Sequence, residues 1–154
     1  MVEAAKKLAP ASGLAVLRQA RFFAGLAPPQ LQRIAALARV ERFPRGTRIY
    51  NLGDSADDFY VLADGMVRFT LGLGKRETSA GEIIRRGDVF GWAALIASAQ
   101  KRIATAFCLT SCGVIALNGN ELLALMDGDH SLGYAIMKQL SVLLTSELTS
   151  FAAG

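Results

Sequence analysis

Two changes in the spacing of apolar residues divide this chain into three parts. Up to about residue 40, apolar residues such as Leu31 and Ile34 repeat every three or four positions, and this spacing predicts helices. From Glu41 to about residue 118, the apolar runs are short and are separated by glycine and aspartate turns, which predicts strands. From about residue 119 to 152 the helical spacing returns. This order predicts an α+β protein in which the strands form a β-roll.

Local signals place the elements within these three parts. In the middle part, Asp64-Gly65 separates the apolar runs 59–62 and 67–71, which is typical of two strands joined by a tight turn. The turn signals recur at the spacing of an eight-stranded, antiparallel, jelly-roll-like β-roll. Ser12 is a candidate helix cap, and Pro28-Pro29 begins a second helix. The predicted helices cover residues 12–19, 29–40, 121–126 and 131–152.

Size and composition indicate one globular domain, residues 1–154. The chain has 154 residues, of which 52% are hydrophobic, and this is enough for a single core. Its apolar runs are too short to cross a membrane, and no apolar segment follows the charges near Met1, so we expect a cytoplasmic protein. The net charge of +4 is carried by scattered arginines, which favours a small anionic ligand over nucleic acid.

The segment 85–106, RRGDVFGWAALIASAQKRIATA, is the most specific candidate for a binding site. Gly91 begins a turn of small residues, and a glycine that opens a helical turn leaves backbone N–H groups free to bind an anion. A basic pair, Lys101-Arg102, follows before the strand-like run 103–109. An arginine that returns to the glycine turn completes a pocket for one phosphate-sized group.

This segment resembles the phosphate-binding cassette of cyclic nucleotide-binding domains, written F-G-E-x-A-L and then P-R-x-A-T. Other motifs occur in the order found in Crp–Fnr regulators: FFAGL at 22–26, FPRGTRIY at 43–50, and GD at 53–54 followed by FYVL at 59–62. The resemblance covers about residues 20–152. It implies an eight-stranded β-roll with N-terminal helices and a long C-terminal helix, and cyclic AMP or cyclic GMP as the ligand.

The resemblance also assigns roles within the cassette. The ligand-contacting residues would be Gly91, Trp92, Ala93, Ala94, Lys101, Arg102 and Ile103. Trp92 stands where the family has a glutamate that accepts the ribose hydroxyl, and indole has no acceptor. Trp92 either stacks on a base or fills the pocket. Arg102 aligns with the phosphate-binding arginine if one residue is inserted, and Lys101 aligns with it if none is; we prefer Arg102.

The resemblance implies a regulatory module, and the changed cassette leaves three hypotheses. The chain is a cyclic-nucleotide sensor with weak or altered ligand binding, a sensor for another small anion, or a ligand-free interaction scaffold. Relatives with tryptophan after the cassette glycine are a known subgroup, and many of them lack a DNA-binding domain. The chain is either such a stand-alone module or an excised sensor domain of a Crp–Fnr transcription regulator.

Catalysis and metal binding are not expected. The only histidine, His130, lies outside the strand region, so metal chemistry of the cupin type lacks its ligands. Cys108 and Cys112 cannot complete a metal site with one distant histidine, and we expect both to be reduced. Asp54, Asp57 and Asp58 are expected to be solvated turn residues.

Two expectations concern partners. No helix-turn-helix pattern follows the last helix before Gly154, so we expect this chain not to bind DNA itself. The last helix carries a 3–4 spaced apolar stripe that favours a homodimer, although the same stripe suits packing onto the β-roll in a monomer. The stripe consists of Met137, Leu140, Leu144 and Phe151, with Leu143 and Leu148 beside it and Glu147 on it.

Overall fold

Helices occupy both ends of the chain and strands occupy its middle. The computed structural model describes residues 10–96 and 101–153, and it places four α-helices and eight strands in these ranges. The helices are α1 (Pro10–Gln19), α2 (Pro28–Ala35), α3 (Gly119–Gly128) and α4 (His130–Ala153). The strands are β1 (Arg39–Phe43), β2 (Arg48–Tyr50), β3 (Asp58–Asp64), β4 (Val67–Leu71), β5 (Thr78–Ile84), β6 (Val89–Phe90), β7 (Thr105–Cys108) and β8 (Cys112–Asn118).

The strands form two four-stranded sheets with antiparallel pairing throughout. The first sheet has the order β1-β8-β3-β6, and the second has the order β2-β7-β4-β5. Strands that are neighbours in sequence therefore lie mostly in different sheets. The predicted α+β class, the eight strands and the long C-terminal helix are confirmed.

The first sheet is buried on both faces. In β3, Phe59 and Val61 belong to the core shared with the helices, whereas Tyr60 and Leu62 belong to the core inside the roll. The same alternation occurs in β8, because successive side chains of a strand point to opposite faces. This explains why these two strands read as continuous apolar runs in the sequence.

The first two helices differ from the prediction. α1 begins at Pro10, so Ser12 lies inside the helix and does not cap it. α2 ends at Ala35, whereas the apolar spacing predicted a helix to residue 40. The reason is that residues from Arg39 onward pair with β8, with Val40 opposite Ile115. A strand ladder with buried partners outweighs a weak helical spacing.

The Asp64-Gly65 turn does not close a hairpin. It passes the chain from β3 in the first sheet to β4 in the second, so the two strands are not paired. Gly65 has a φ of 95°, and a Cβ there would lie 2.4 Å from the carbonyl oxygen of Ser111. The two predicted strands on either side of the turn are present, and the glycine is required because the chain crosses between the sheets there.

The remaining boundaries lie close to the prediction. β5 extends from residue 78, and β7 begins at Thr105, which leaves Ile103 outside the strand. The Asn118 side chain accepts a hydrogen bond from the Glu121 N–H and caps α3. The Asp129 carboxylate accepts from the Leu132 N–H at the start of α4, close to the exposed His130.

α4 turns its buried side chains toward the helical core. Leu140 is 2% exposed, and Leu143 and Leu144 pack against the same core. The predicted dimer stripe therefore faces the protein itself at Leu140, while the side chain of Phe151 lies outside the described residues. Among the described side chains of α4, the large apolar ones that are exposed are Tyr134, Met137, Val142 and Leu148.

Both cysteines are buried and free. Cys108 ends β7 and Cys112 begins β8, and both side chains are fully buried. Burial, with the neighbouring Cys112 as a second cause, raises the pKa of Cys108 to about 12. The Cys112 thiol donates to the carbonyl oxygen of Met66. Among the described helices, none combines the length and the apolar character that crossing a membrane requires.

Candidate functional site

Gly91 forms the turn that the sequence singled out. It follows β6, has φ 78° and ψ 31°, and precedes a short 3-10 helix, Trp92–Leu95. Only glycine adopts this left-handed conformation without a steric cost. The Ala94 N–H donates to the Gly91 carbonyl oxygen at 3.2 Å, so this N–H is used within the turn.

The space around Gly91 is filled by three neighbours. A Cβ at this position would lie 3.0 Å from the Asp58 carbonyl oxygen and 3.0 Å from Tyr60 Cδ2. It would also lie 3.2 Å from Nη1 of Arg102. The pairing of β3 with β6, in which Tyr60 lies opposite Phe90, causes this close approach. Gly91 is thus required both by its backbone angles and by its surroundings.

Arg102 is buried beside this turn. It is 4% exposed, and its guanidinium donates from Nη1 to the Gly91 carbonyl oxygen at 3.0 Å and from Nη2 to the Asp58 carbonyl oxygen at 2.6 Å. Its backbone is held as well, because its N–H donates to the carbonyl oxygen of Asp54 and its carbonyl accepts from the Gly53 N–H, both at 2.8 Å. Arg102 therefore connects the cassette turn to β3 and to the loop after β2.

Aromatic rings support the guanidinium from inside the roll. Cζ of Arg102 lies 4.1 Å from the centre of the Tyr50 ring and 5.9 Å from that of Tyr60, within the range of cation–π attraction. Tyr60 stacks in turn on Phe90, with 5.0 Å between ring centres. Burial raises the pKa of Tyr50 and Arg102 opposes this shift, so the phenol stays neutral.

One donor of Arg102 is left without a partner. Its Nε is buried and has no hydrogen-bond partner in the structure. Within the described part of the chain, no carboxylate forms an ion pair with Arg102. Buried donors are almost always satisfied, so an unsatisfied one at a buried cation indicates a place for an acceptor. The direct contacts of the guanidinium in the described residues are two carbonyl oxygens and the rings of Tyr50 and Tyr60.

The other predicted site residues divide into two groups. Trp92 is half-buried, borders the same cavity as Arg102 and also packs against the helical core. Ala93 and Ala94 are buried. By contrast, Ile103 is 53% exposed, although it borders the cavity, and the exposed Lys101 forms an isolated bridge with Ser55 in the loop after β2.

Two hollows of unequal size border Arg102. The first has a volume of about 30 Å³, and its walls include Gly91, Trp92 and Ala93. The second is a groove of about 320 Å³ on the side of Asp54, Asp57 and Asp58. Three carboxylates line the groove and one, that of Glu147, lines the small cavity, so an anion meets less negative charge when it approaches Arg102 from the small cavity. About 10–15 Å³ of such space holds one water molecule, so this cavity has room for about two.

The three aspartates of the groove have local partners. Asp54 accepts from the Asn51 N–H, Asp57 accepts from the hydroxyl of Ser55, and Asp58 pairs with Arg39. These contacts explain the three aspartates as residues that stabilise the loop after β2 and the start of β3. In the residues that the structure describes, no group of three or more histidine, cysteine or acidic side chains is arranged to hold a metal ion.

Sequence reasoning missed two side chains of the site. Tyr50 was part of a strand motif, and its place beneath Arg102 follows from the pairing of β2 with β7. Glu147 of α4 borders the small cavity together with Arg102 and Trp92. The available signal in the sequence is an acidic residue on an otherwise apolar stripe.

Comparison with known proteins identifies the family. The family model for the cyclic nucleotide-binding domain matches residues 40–129, which is more than half of the chain. The chain belongs to this family. The match includes most of the roll, the cassette and α3, so the resemblance found from the motifs is confirmed.

Known relatives place this cyclic nucleotide-binding domain with the Crp–Fnr type. The cyclic AMP receptor protein of Thermus thermophilus is 28% identical over 109 residues, covering 70% of this chain and 46% of the relative. The chain thus spans about half the length of this relative. A protein of Geobacter metallireducens GS-15, classed with cyclic nucleotide-binding proteins, has a TM-score of 0.77 and 25% identity, with 92% of this chain and 98% of that chain covered.

A third relative supports the fold alone. The sensor domain of the transcriptional regulator DNR from Pseudomonas aeruginosa is 20% identical and has a TM-score of 0.75, with 91% of this chain and 93% of that chain covered. The cyclic nucleotide-binding domain described here therefore has the architecture of sensor domains in this family.

Proposed function

We propose that this domain is a regulatory sensor that binds a small anionic ligand, with a degenerate cassette that gives weak or altered binding of cyclic nucleotides. The observation that carries the proposal is the buried Arg102, whose Nε has no partner and which lies beside the Gly91 turn. A curated relative is a cyclic AMP receptor protein, so cyclic AMP is the first ligand to test, with cyclic GMP as the second.

Two features support weak binding. Trp92 offers no acceptor for a ribose hydroxyl, and the loss of one charge-assisted hydrogen bond costs about 1.5–3 kcal/mol, or roughly ten- to hundredfold in affinity. The cavity of about 30 Å³ is also far smaller than a nucleotide requires, so binding must open it. The free energy of opening is subtracted from the affinity.

The alternative is a ligand-free interaction scaffold. Its support is that both Nη atoms of Arg102 already donate to carbonyl oxygens, which allows the residue a purely structural role. A scaffold needs no open cavity. The two hypotheses predict opposite results in a binding experiment.

Calorimetry with four proteins separates them. In the wild type, cyclic AMP or cyclic GMP should bind no more tightly than micromolar. Trp92→Glu should tighten binding by restoring the acceptor, and Arg102→Ala should abolish it. Lys101→Ala is the matched control, because Lys101 is exposed and should matter little. The absence of binding heat in both the wild type and Trp92→Glu would favour the scaffold, and an effect at Lys101 alone would favour the ungapped alignment.

The same proposal covers partners and location. We propose a binding rather than a catalytic role in the cytoplasm, without direct binding to DNA by this chain. Several arginines are paired with acidic side chains, as in Arg48 with Glu77 and Arg42 with Asp64, which disperses the positive charge. A gel shift with random duplex DNA at micromolar protein would contradict the last point.

We also propose a homodimer through α4, formed by its exposed apolar side chains. Tyr134 is 70% exposed and Leu148 is 73% exposed, and Met137 lies between them on the same helix. Sedimentation at tens of micromolar should detect the dimer. A single monomeric species would rule it out.

A further inference from the structure

Glu147 brings a carboxylate to the wall of the cavity that holds Arg102. It lies on α4, near the C-terminal end of the helix, and it is half-buried. Glu147 and Arg102 line the same cavity, which has a volume of about 30 Å³ before any opening. Any ligand that reaches Arg102 through this cavity also approaches Glu147.

Glu147 has charged neighbours, but none of them is close enough to form an ion pair among the described residues. Through the small cavity it faces Tyr50 and Arg102, and through a neighbouring groove of about 350 Å³ it faces Arg21, Glu82 and Asp88. Burial, followed by the negative charge of Glu82, raises the pKa of Glu147. The carboxylate is therefore easier to protonate than an exposed one.

An anion bound to Arg102 adds a second negative charge to this cavity. The anion and the ionised Glu147 would then lie in one partly buried cavity, where like charges repel each other, and the repulsion disappears when one of them is protonated. We propose that an anionic ligand binds this site together with one proton, which the Glu147 carboxylate takes up from solvent. This inference rests on the proposed function, since it concerns the regulation of the same site.

The consequence is pH-dependent binding. Affinity should increase as the pH falls toward the range in which Glu147 is protonated, because the protonated carboxyl no longer repels the anion. Glu147→Gln mimics the protonated side chain in size and lacks the charge. It should therefore bind anions at neutral pH as the wild type does in acid.

The test measures the Kd of cyclic AMP at pH about 5.5 and about 7.5. Three proteins are compared: the wild type, Glu147→Gln, and Glu121→Gln as a matched control on the exposed face of α3. The wild type and the control should bind about tenfold more tightly at the lower pH. Glu147→Gln should bind tightly at both. All three proteins keep His130, so a pH dependence that persists in Glu147→Gln would have another source and would overturn the proposal.

The remaining outcomes separate this inference from the function on which it rests. Equal binding by the wild type and Glu147→Gln at both pH values would leave the ligand-binding function intact and refute the proton coupling. Weaker binding by Glu147→Gln would also refute it, since the carboxylate would then be a ligand contact. No binding by any protein at either pH would overturn the ligand-binding function and this inference with it. Binding by Glu147→Gln alone would overturn the proton coupling, because the wild type would then fail to bind even in acid.

Discussion

Replacement of Gly91 by alanine adds one methyl group at the most crowded point of the candidate site. The backbone there has φ 78°, and a residue with a Cβ in this left-handed region costs about 1–2 kcal/mol. The methyl group would also lie 3.0–3.2 Å from Asp58, Tyr60 and Arg102. Overpacking of this kind costs a further 1–3 kcal/mol or so. We therefore expect Gly91→Ala to lower the free energy of unfolding by about 2–5 kcal/mol.

Gly46→Ala is the control that separates the two contributions. Gly46 has a φ of 85°, and a Cβ there would meet nothing within 4 Å. This variant should show only the backbone cost of about 1–2 kcal/mol. The difference between the two variants then measures how tightly Arg102, Tyr60 and the Asp58 carbonyl enclose the turn.

Urea unfolding followed by the fluorescence of Trp92, the single tryptophan, provides the measurement. In a thermal scan each kcal/mol corresponds to a Tm shift of roughly 2–4 °C for a domain of this size. If Gly91→Ala is no less stable than Gly46→Ala, the close packing of Arg102 against the turn is wrong. A change in the m-value would instead indicate a change in the surface exposed on unfolding or a departure from two-state unfolding.

Three further predictions concern single side chains. Arg102→Ala should lower the free energy of unfolding in urea by about 2–4 kcal/mol, because it removes the two hydrogen bonds that the buried guanidinium donates. Lys101→Ala should change it by no more than about 0.5 kcal/mol. Equal effects would contradict the assignment of Arg102 as the buried residue. Thr105→Val should cost about 1–3 kcal/mol, because the Leu52 N–H loses the Thr105 hydroxyl at 2.9 Å, and Thr105→Ser should retain most of the stability. The pKa of the Cys108 thiol is raised to about 12, so the thiol should resist a thiol reagent at mildly alkaline pH until the protein unfolds. The free energy of unfolding should fall as the pH rises from about 9 toward 12, because only the unfolded chain then releases the proton. Rapid labelling of the native protein would refute this.

The order of the elements and the turn at Gly91 could be predicted from local patterns. Short strands between glycine turns indicate a roll, and a glycine before small residues indicates a left-handed turn. The preference for Arg102 over Lys101 relied on the alignment of Ala104-Thr105. In the structure both of these residues are buried with Arg102, whereas Lys101 is exposed.

Features that depend on contacts between distant residues could not be predicted. The helical spacing before β1 does not reveal that Arg39 will pair with Ala116. An Asp-Gly pair has the same local chemistry in a hairpin and in a crossing between sheets, so the sequence at Gly65 does not distinguish them. Likewise, Glu147 reaches the cavity only because α4 folds back along the roll.

Hydrogen exchange should reflect the position of the first sheet between two cores. Its central strands, β8 and β3, each have a paired strand on both sides and bury apolar side chains on both faces. No partial opening can expose their amides without separating either the helices or the second sheet from them. Amides of β3 and β8 should therefore exchange only when the whole domain unfolds. Amides of β5, at the edge of the second sheet, should exchange through smaller and more frequent openings.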